Sequence, residues 1–278
     1  MMEGIENKKS IPKREAPEGI DIAFADSANK MYVFKDGVKT CFKTNGGAFD
    51  IYSLGNGLLA YGSIYDGDVC GLIVCDLEGN IKKRYETKAQ VFGIRPFDGG
   101  FLCGELPTKQ VVWLDNDLKV IRKTPVRYDG DNLHEVMRGV RLAKDGNILV
   151  AQPGDNVIRR YTPDGILLSE VKVGADIFAF SECENGNIIN TQHDALVERD
   201  KNGNELRRID NTTAPEAGLC WPLNFTFLPN GNLLLVNWLG HGCEGKGYPV
   251  SEYDKDWRLV GLYTVDDDAE YISAVTLL

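Results

Sequence analysis

DGNILVAQPGDNVIRRYTPDGILL, residues 145–168, carries the pattern that decides the fold. It opens on an Asp-Gly-Asn turn, passes through short apolar and β-branched runs, and reaches a Pro-Asp-Gly turn. Asn-Gly and Asp-Gly supply the positive φ angles that tight antiparallel hairpins need. Such turns recur along the chain in two alternating sets. The first is LGNG (54–57), FDGG (97–100), KDGN (144–147), ENGN (184–187) and PNGN (229–232). The second is KDG (35–37), LEGN (77–80), DNDL (115–118), PDGI (163–166), KNGN (201–204) and DKDW (254–257).

The runs between turns are short and rich in Val, Ile, Leu, Phe and Tyr, and none has convincing helical periodicity. The chain therefore reads as all-β. Strands recur four to a unit, with innermost strands expected to begin near Phe49, Val91, Gly139, Ile177, Leu223 and Ile272, at spacings of 42, 48, 38, 46 and 49 residues. Repeats of this length specify β-propeller blades. The last unit holds one strand, YISAVTLL (271–278), and its missing three stand at the other end: IDIAFA (20–25), KMYVF (30–34) and VKTCFKT (38–44). Pairing these strands closes a six-bladed propeller over residues 20–278 and leaves no open edge in the ring. Residues 1–19 are polar, lack a hydrophobic h-region and are expected to form a flexible tail.

Thirty-one basic against forty-one acidic residues give a net charge of −10, which argues against nucleic-acid binding. No apolar run reaches the length of a membrane span. The seven cysteines are odd in number and form no CxxC pair. They read mainly as reduced, buried small hydrophobes of a cytoplasmic, monomeric protein.

In a propeller blade the inner strand a runs outward through b, c and d. Here one face carries short hairpins, whereas the b–c loops and blade-to-blade connections of the other face are long and chemically varied, as functional loops on a rigid scaffold are. All three histidines fall on that second face: His134 in RYDGDNLHEVMRG (127–139), His193 in TQHDA (191–195) and His241 in NWLGHGCEGKGYP (237–249). Three imidazoles can hold Zn, Mn or Fe. Alternatively, one can act as base or nucleophile aided by Asp194 or Glu135, or each can simply hydrogen-bond within its loop. Asp26, Glu105, Gln152, Gln192 and Asn237 end strand b in five blades and are candidates for a polar ring around the axis. Tyr65, Asp66 and Asp68 lie on the same face, and Trp221 and Trp238 are candidate apolar walls. The matched inner strands GIRP (93–96) and GVRL (139–142) place Arg95 and Arg141 alike. They form either an anion site or ion pairs with an acid such as Asp50 or Asp176.

The segments NGNLLLVNWLGHG…VSEYDKDWRLV (230–260) and 145–168 resemble repeats of bacterial PQQ-binding-like and arylsulfotransferase-like β-propellers, with NHL and gluconolactonase-type propellers as relatives in style. The AxDxxTGxxxW docking repeat of quinoproteins is missing, so no quinone is expected. With neither a P-loop nor GxGxxG after a strand, no nucleotide or flavin is expected either. The resemblance to arylsulfotransferases implies histidine and arginine chemistry in a funnel, which draws attention to His134, His193, His241, Arg95 and Arg141. The expected function is an enzyme acting on a small anionic or carbohydrate-like molecule by histidine-based or metal-assisted hydrolysis, elimination or group transfer. The alternative is a non-catalytic binding scaffold.

Overall fold

The computed structural model describes Ile11 and residues 13–64, 70–106 and 108–278. Six antiparallel sheets of four strands surround an axis, one per blade. The first blade pairs Ile272–Leu277 with Ile22–Asp26, then Lys30–Lys35 and Val38–Lys43. Its register sets Ile22 opposite Leu277 and Asp26 opposite Ile272, so the two ends of the chain close the ring as the sequence predicts. The other inner strands are Gly47–Gly55, Val91–Phe97, Gly139–Leu142, Phe180–Glu182 and Trp221–Phe227. Tyr65, Asp66 and Asp68 lie outside the described residues.

The apolar runs are continuous because a blade is covered on both faces, unlike a sheet with one face in water. Successive side chains of a strand point to opposite faces, so each run feeds two inter-blade cores. Ile148 and Val150 pack towards the third blade with Trp113 and Phe92, whereas Leu149 and Ala151 pack towards the fifth with Phe180 and Ile188. In Leu233–Trp238 the same division sends Leu234 and Val236 towards the first blade and Leu233 and Leu235 towards the fifth. Six such clusters fill the six gaps between neighbouring blades. Outer strands, such as Val38–Lys43 and Ile81–Thr87, are mostly exposed.

One expectation needs correction. The polar N-terminal segment is not a free tail throughout, because Lys13–Arg14 adds a parallel strand to Leu259–Tyr263. Thr264 N–H donates to the Arg14 carbonyl at 2.9 Å and Val265 N–H to that of Glu15 at 3.1 Å. Ala16 and Ile20 then pack against the core between the first and sixth blades. Pairing along an outer edge needs backbone groups only, which is why a charged stretch can do it. No helix among the described residues is long and apolar enough to cross a membrane.

Candidate functional site

On the face of the long connections, each inner strand begins with a large side chain near the axis. Phe49, Phe92, Arg138, Phe178 and Trp221 come from five successive blades, and Tyr271 from the closing one. They touch in sequence. Phe49 lies 6.1 Å from Phe92 between ring centroids. The Arg138 guanidinium sits 5.0 Å from the Phe92 ring and 5.8 Å from Phe178. Phe178 meets Trp221 edge-on at 6.3 Å, and Trp221 meets His241 at 6.3 Å. His241 stands 4.8 Å from Trp238, which returns to Phe49 at 6.5 Å. The circuit of π contacts is closed around the axis, with one cation built into it. Edge-to-face and cation–π geometries of this kind each contribute roughly 0.5–1.5 kcal/mol beyond area burial.

His193 stands at the rim, its ring 4.2 Å from Trp221 and nearly perpendicular to it. Its Nδ1 is 3.2 Å from Asp176 Oδ2, a residue of the connection leading into the same blade. A carboxylate at Nδ1 favours the proton there and leaves the Nε2 lone pair free to accept one. The His193 side chain is 55% exposed, so a ligand in the funnel can reach it. Asp194, by contrast, is exposed beside it, and the carboxylate that orients His193 is Asp176.

NWLGHG supplies the opposite wall. His241 has φ 54° and Gly242 φ 83°, a left-handed bend that turns the chain sharply back. A Cβ on Gly240 would lie 2.3 Å from the Trp238 ring, so glycine is required for the loop to lie against the indole. Trp238 Nε1 donates to Ser27 Oγ at 2.9 Å and ties the sixth blade to the first. A disulfide joins Cys220, next to Trp221, to Cys243, two residues beyond His241. Cys41, Cys70, Cys75, Cys103 and Cys183 form no disulfide, but only Cys75 and Cys103 are buried as expected; Cys41 is exposed, and Cys70 and Cys183 are half-buried. Spacing could not reveal the pair, because the two cysteines stand 23 positions apart and flank a strand pair whose ends meet only in the folded blade.

Other candidates occupy different places. His134 lies in a 3-10 turn over Leu133–Glu135, capped by Asn132 and exposed, and the circuit closes without it. Among the described residues no group of three His, Cys, Asp or Glu is arranged to hold a metal, so the three histidines do not form the expected ligand set. The expected polar ring faces its own scaffold. Asn237 accepts from the Cys220 and Trp221 N–H groups and donates to the Gly218 and Tyr248 carbonyls. Gln152 donates to the Arg127 and Val136 carbonyls and accepts from Arg159 and Tyr161. Gln192 accepts from Arg199, Glu105 from Tyr85 and Thr108, and Asp26 from the Ala28 N–H. A polar residue at a strand end has unpaired loop backbone within reach, and burial obliges it to bond there. Burial pushes the Asp26 carboxyl above its usual range.

Below the circuit, Arg95 Nη1 bonds Asp50 Oδ2 at 3.1 Å, so one arginine of the expected pair is matched within the scaffold. Arg141 donates to its neighbouring carbonyl, Val140 O, at 3.0 Å and lies over the Phe180 ring at 5.4 Å. A cleft of about 860 Å³ shares no lining residue with the circuit and runs between the N-terminal segment and the hairpin face. Arg138, Phe49, Phe92, Phe178 and Tyr271 were not legible as site residues, and Asp176, expected as an acid for Arg95 or Arg141, pairs with His193 instead. The one signal available was their common position near the starts of inner strands.

No family model matches the chain, and no curated protein matches it in sequence. Solved structures match it in fold. A protein of unknown function from Bacteroides caccae superposes with TM-score 0.78 at 18% identity, over 92% of this chain and 98% of that one. Virginiamycin B lyase from Staphylococcus aureus gives 0.61 at 14% identity, over 95% and 88%. A putative 6-phosphogluconolactonase from Bacteroides uniformis gives 0.64 at 12% identity, over 93% and 99%. A histidine-to-alanine variant of the lyase is catalytically inactive and was solved with quinupristin. The resemblance to enzyme-bearing propellers is thus one of fold.

Proposed function

We propose that this propeller is an enzyme that acts on a small anionic or carbohydrate-like molecule at the mouth of its funnel, with His193 as general base. The observation that carries this reading is the His193–Asp176 pair standing edge-on to Trp221 at the rim of an aromatic circuit. Asp176 holds the imidazole and stabilises its cation once a proton is taken, as an orienting carboxylate does in hydrolytic triads. Trp221 and Trp238 offer flat apolar faces to a sugar or other ring, and Arg138 supplies positive charge for a carboxylate or similar group. The reaction class is proton abstraction leading to elimination, or activation of water for hydrolysis. Fold neighbours that include a lyase and a putative lactonase support that choice by analogy only.

The Cys220–Cys243 bond favours an oxidising compartment over the cytosol, where thiols are kept reduced. The deciding experiment measures turnover of sugar-acid lactones, uronate oligomers and sulfate esters by the wild type and by His193→Ala, with and without chelator. Turnover by the wild type that resists chelation and vanishes in the folded variant supports the reading. Equal turnover by both proteins removes His193 from the reaction.

A further inference from the structure

The cleft of about 860 Å³ on the hairpin face lies on the side of the ring away from the aromatic circuit. One wall is the stretch 14–21. Its place is fixed by the parallel pairing of Lys13–Arg14 with Leu259–Tyr263 and by the Thr264 and Val265 N–H groups, which donate to the Arg14 and Glu15 carbonyls. The Asp36–Gly37 turn and Pro229 supply other walls. The floor is apolar: Ile20, Phe34 and Leu277 line it, each half-buried and packed against the core between the first and sixth blades. A space of this size falls within the range of small-molecule sites, about 300–1,000 Å³.

The charges of the lining set the sign of what can lie there. Arg14 Nη1 donates to Glu18 Oε2 at 2.6 Å, and Glu15 Oε1 accepts from Lys39 Nζ at 2.8 Å, so these groups are matched. Asp21 and Asp36 remain. The Asp36 N–H donates to Asp21 Oδ1 at 2.9 Å, which sets the two residues side by side. Neither carboxylate forms an ion pair among the described residues. Water satisfies exposed carboxylates, so they do not call for a ligand by themselves. The apolar floor provides the drive for association, and the two acids beside it repel an anion and favour a cation. The net charge of −10 adds a long-range attraction of the same sign.

We infer that this cleft is a second binding site, for a small organic cation: a primary amine on an aryl or alkyl body. The body lies on Ile20, Phe34 and Leu277, and the ammonium lies between Asp21 and Asp36. The site is separate from the funnel and does not depend on the reaction proposed there. Phenylbutylamine, phenylbutanol and phenylbutyrate offer one body with a positive, zero and negative charge, and titration of the full chain followed by amide NMR shifts compares them. The amine should bind saturably, with shifts centred on Ile20, Asp36 and Gly37. The alcohol should bind about fivefold more weakly, and the butyrate not measurably. Salt at about 1 M should bring the amine down to the alcohol's affinity. Asp21→Asn combined with Asp36→Asn keeps the acceptor for the Asp36 N–H, and asparagine tolerates the left-handed φ of 51° at that position. The double variant should lose the preference for the amine, whereas His193→Ala should keep it. If the double variant does not fold, the salt dependence decides. Equal binding of amine and alcohol by the wild type, shifts spread beyond the cleft, or no saturation by the amine overturns the inference.

Discussion

His193 Nδ1 and Asp176 Oδ2 lie 3.2 Å apart although they stand well apart in sequence, because a b–c loop and the connection entering the same blade meet at the rim. The His193 backbone N–H also donates to the Ala175 carbonyl, so loop and connection are tied twice. The imidazole is thus oriented before any ligand arrives.

For this pair, His193→Ala should lower kcat on the order of 10²–10⁴-fold with the fold intact. Asp176→Asn should lower kcat less and leave KM nearly unchanged, because the amide still touches Nδ1 but no longer stabilises the imidazolium. Steady-state kinetics on the substrate found by screening measures both; a change in KM alone would assign the pair to binding.

Trp221 and Trp238 should act through binding. Trp221→Ala removes a wall that touches His193, Phe178 and His241. Ligand affinity should fall about tenfold, equivalent to roughly 1.4 kcal/mol. Calorimetric titration of the variant against the wild type gives the number. Intrinsic fluorescence should quench on binding in the wild type and less in the variant.

The Cys220–Cys243 bond closes a loop that carries Trp221, Trp238 and His241. Cys243→Ser should cost about 3 kcal/mol by loop-closure entropy and lower the melting temperature on the order of 10 °C. Reductant should reproduce the shift in the wild type and leave the variant unaffected. Limited proteolysis should then cut first within residues 239–249.

Asp26 should show an inverse pH dependence. Burial raises its folded-state pKa above the unfolded value, so the native state binds more protons than the unfolded state in the window above about pH 3.9. Stability from this group is therefore lost as pH rises through that window. Asp26→Asn keeps the acceptor for the Ala28 N–H and avoids the buried charge. Denaturant melts should find the variant gaining on the wild type as pH rises from about 4; a constant difference would refute the assignment.

The fold was legible because its determinants are local. Asp-Gly and Asn-Gly turns set hairpins within four residues, and runs such as ILVAQ and LLLV carry the signature of a sheet buried on both faces. The candidate site was legible only in part. The aromatic walls at Trp221 and Trp238 and two of the histidines stood out by rarity and by the loops that bear them. The partner of His193, the cation of the circuit and the disulfide did not.

The sequence by itself determined the number of blades and their closure, through the period of turns and the strand missing from the last unit. It also placed the histidines on one face. Only the tertiary structure decided that His193 and His241 flank one indole while His134 stands apart, and that Arg95 is matched by Asp50 while Arg141 has no carboxylate partner among the described residues. The reason is physical. Hairpins are fixed by residues adjacent in the chain, but the site is assembled from the starts of inner strands in different blades. Their approach depends on how six separate cores pack around the axis.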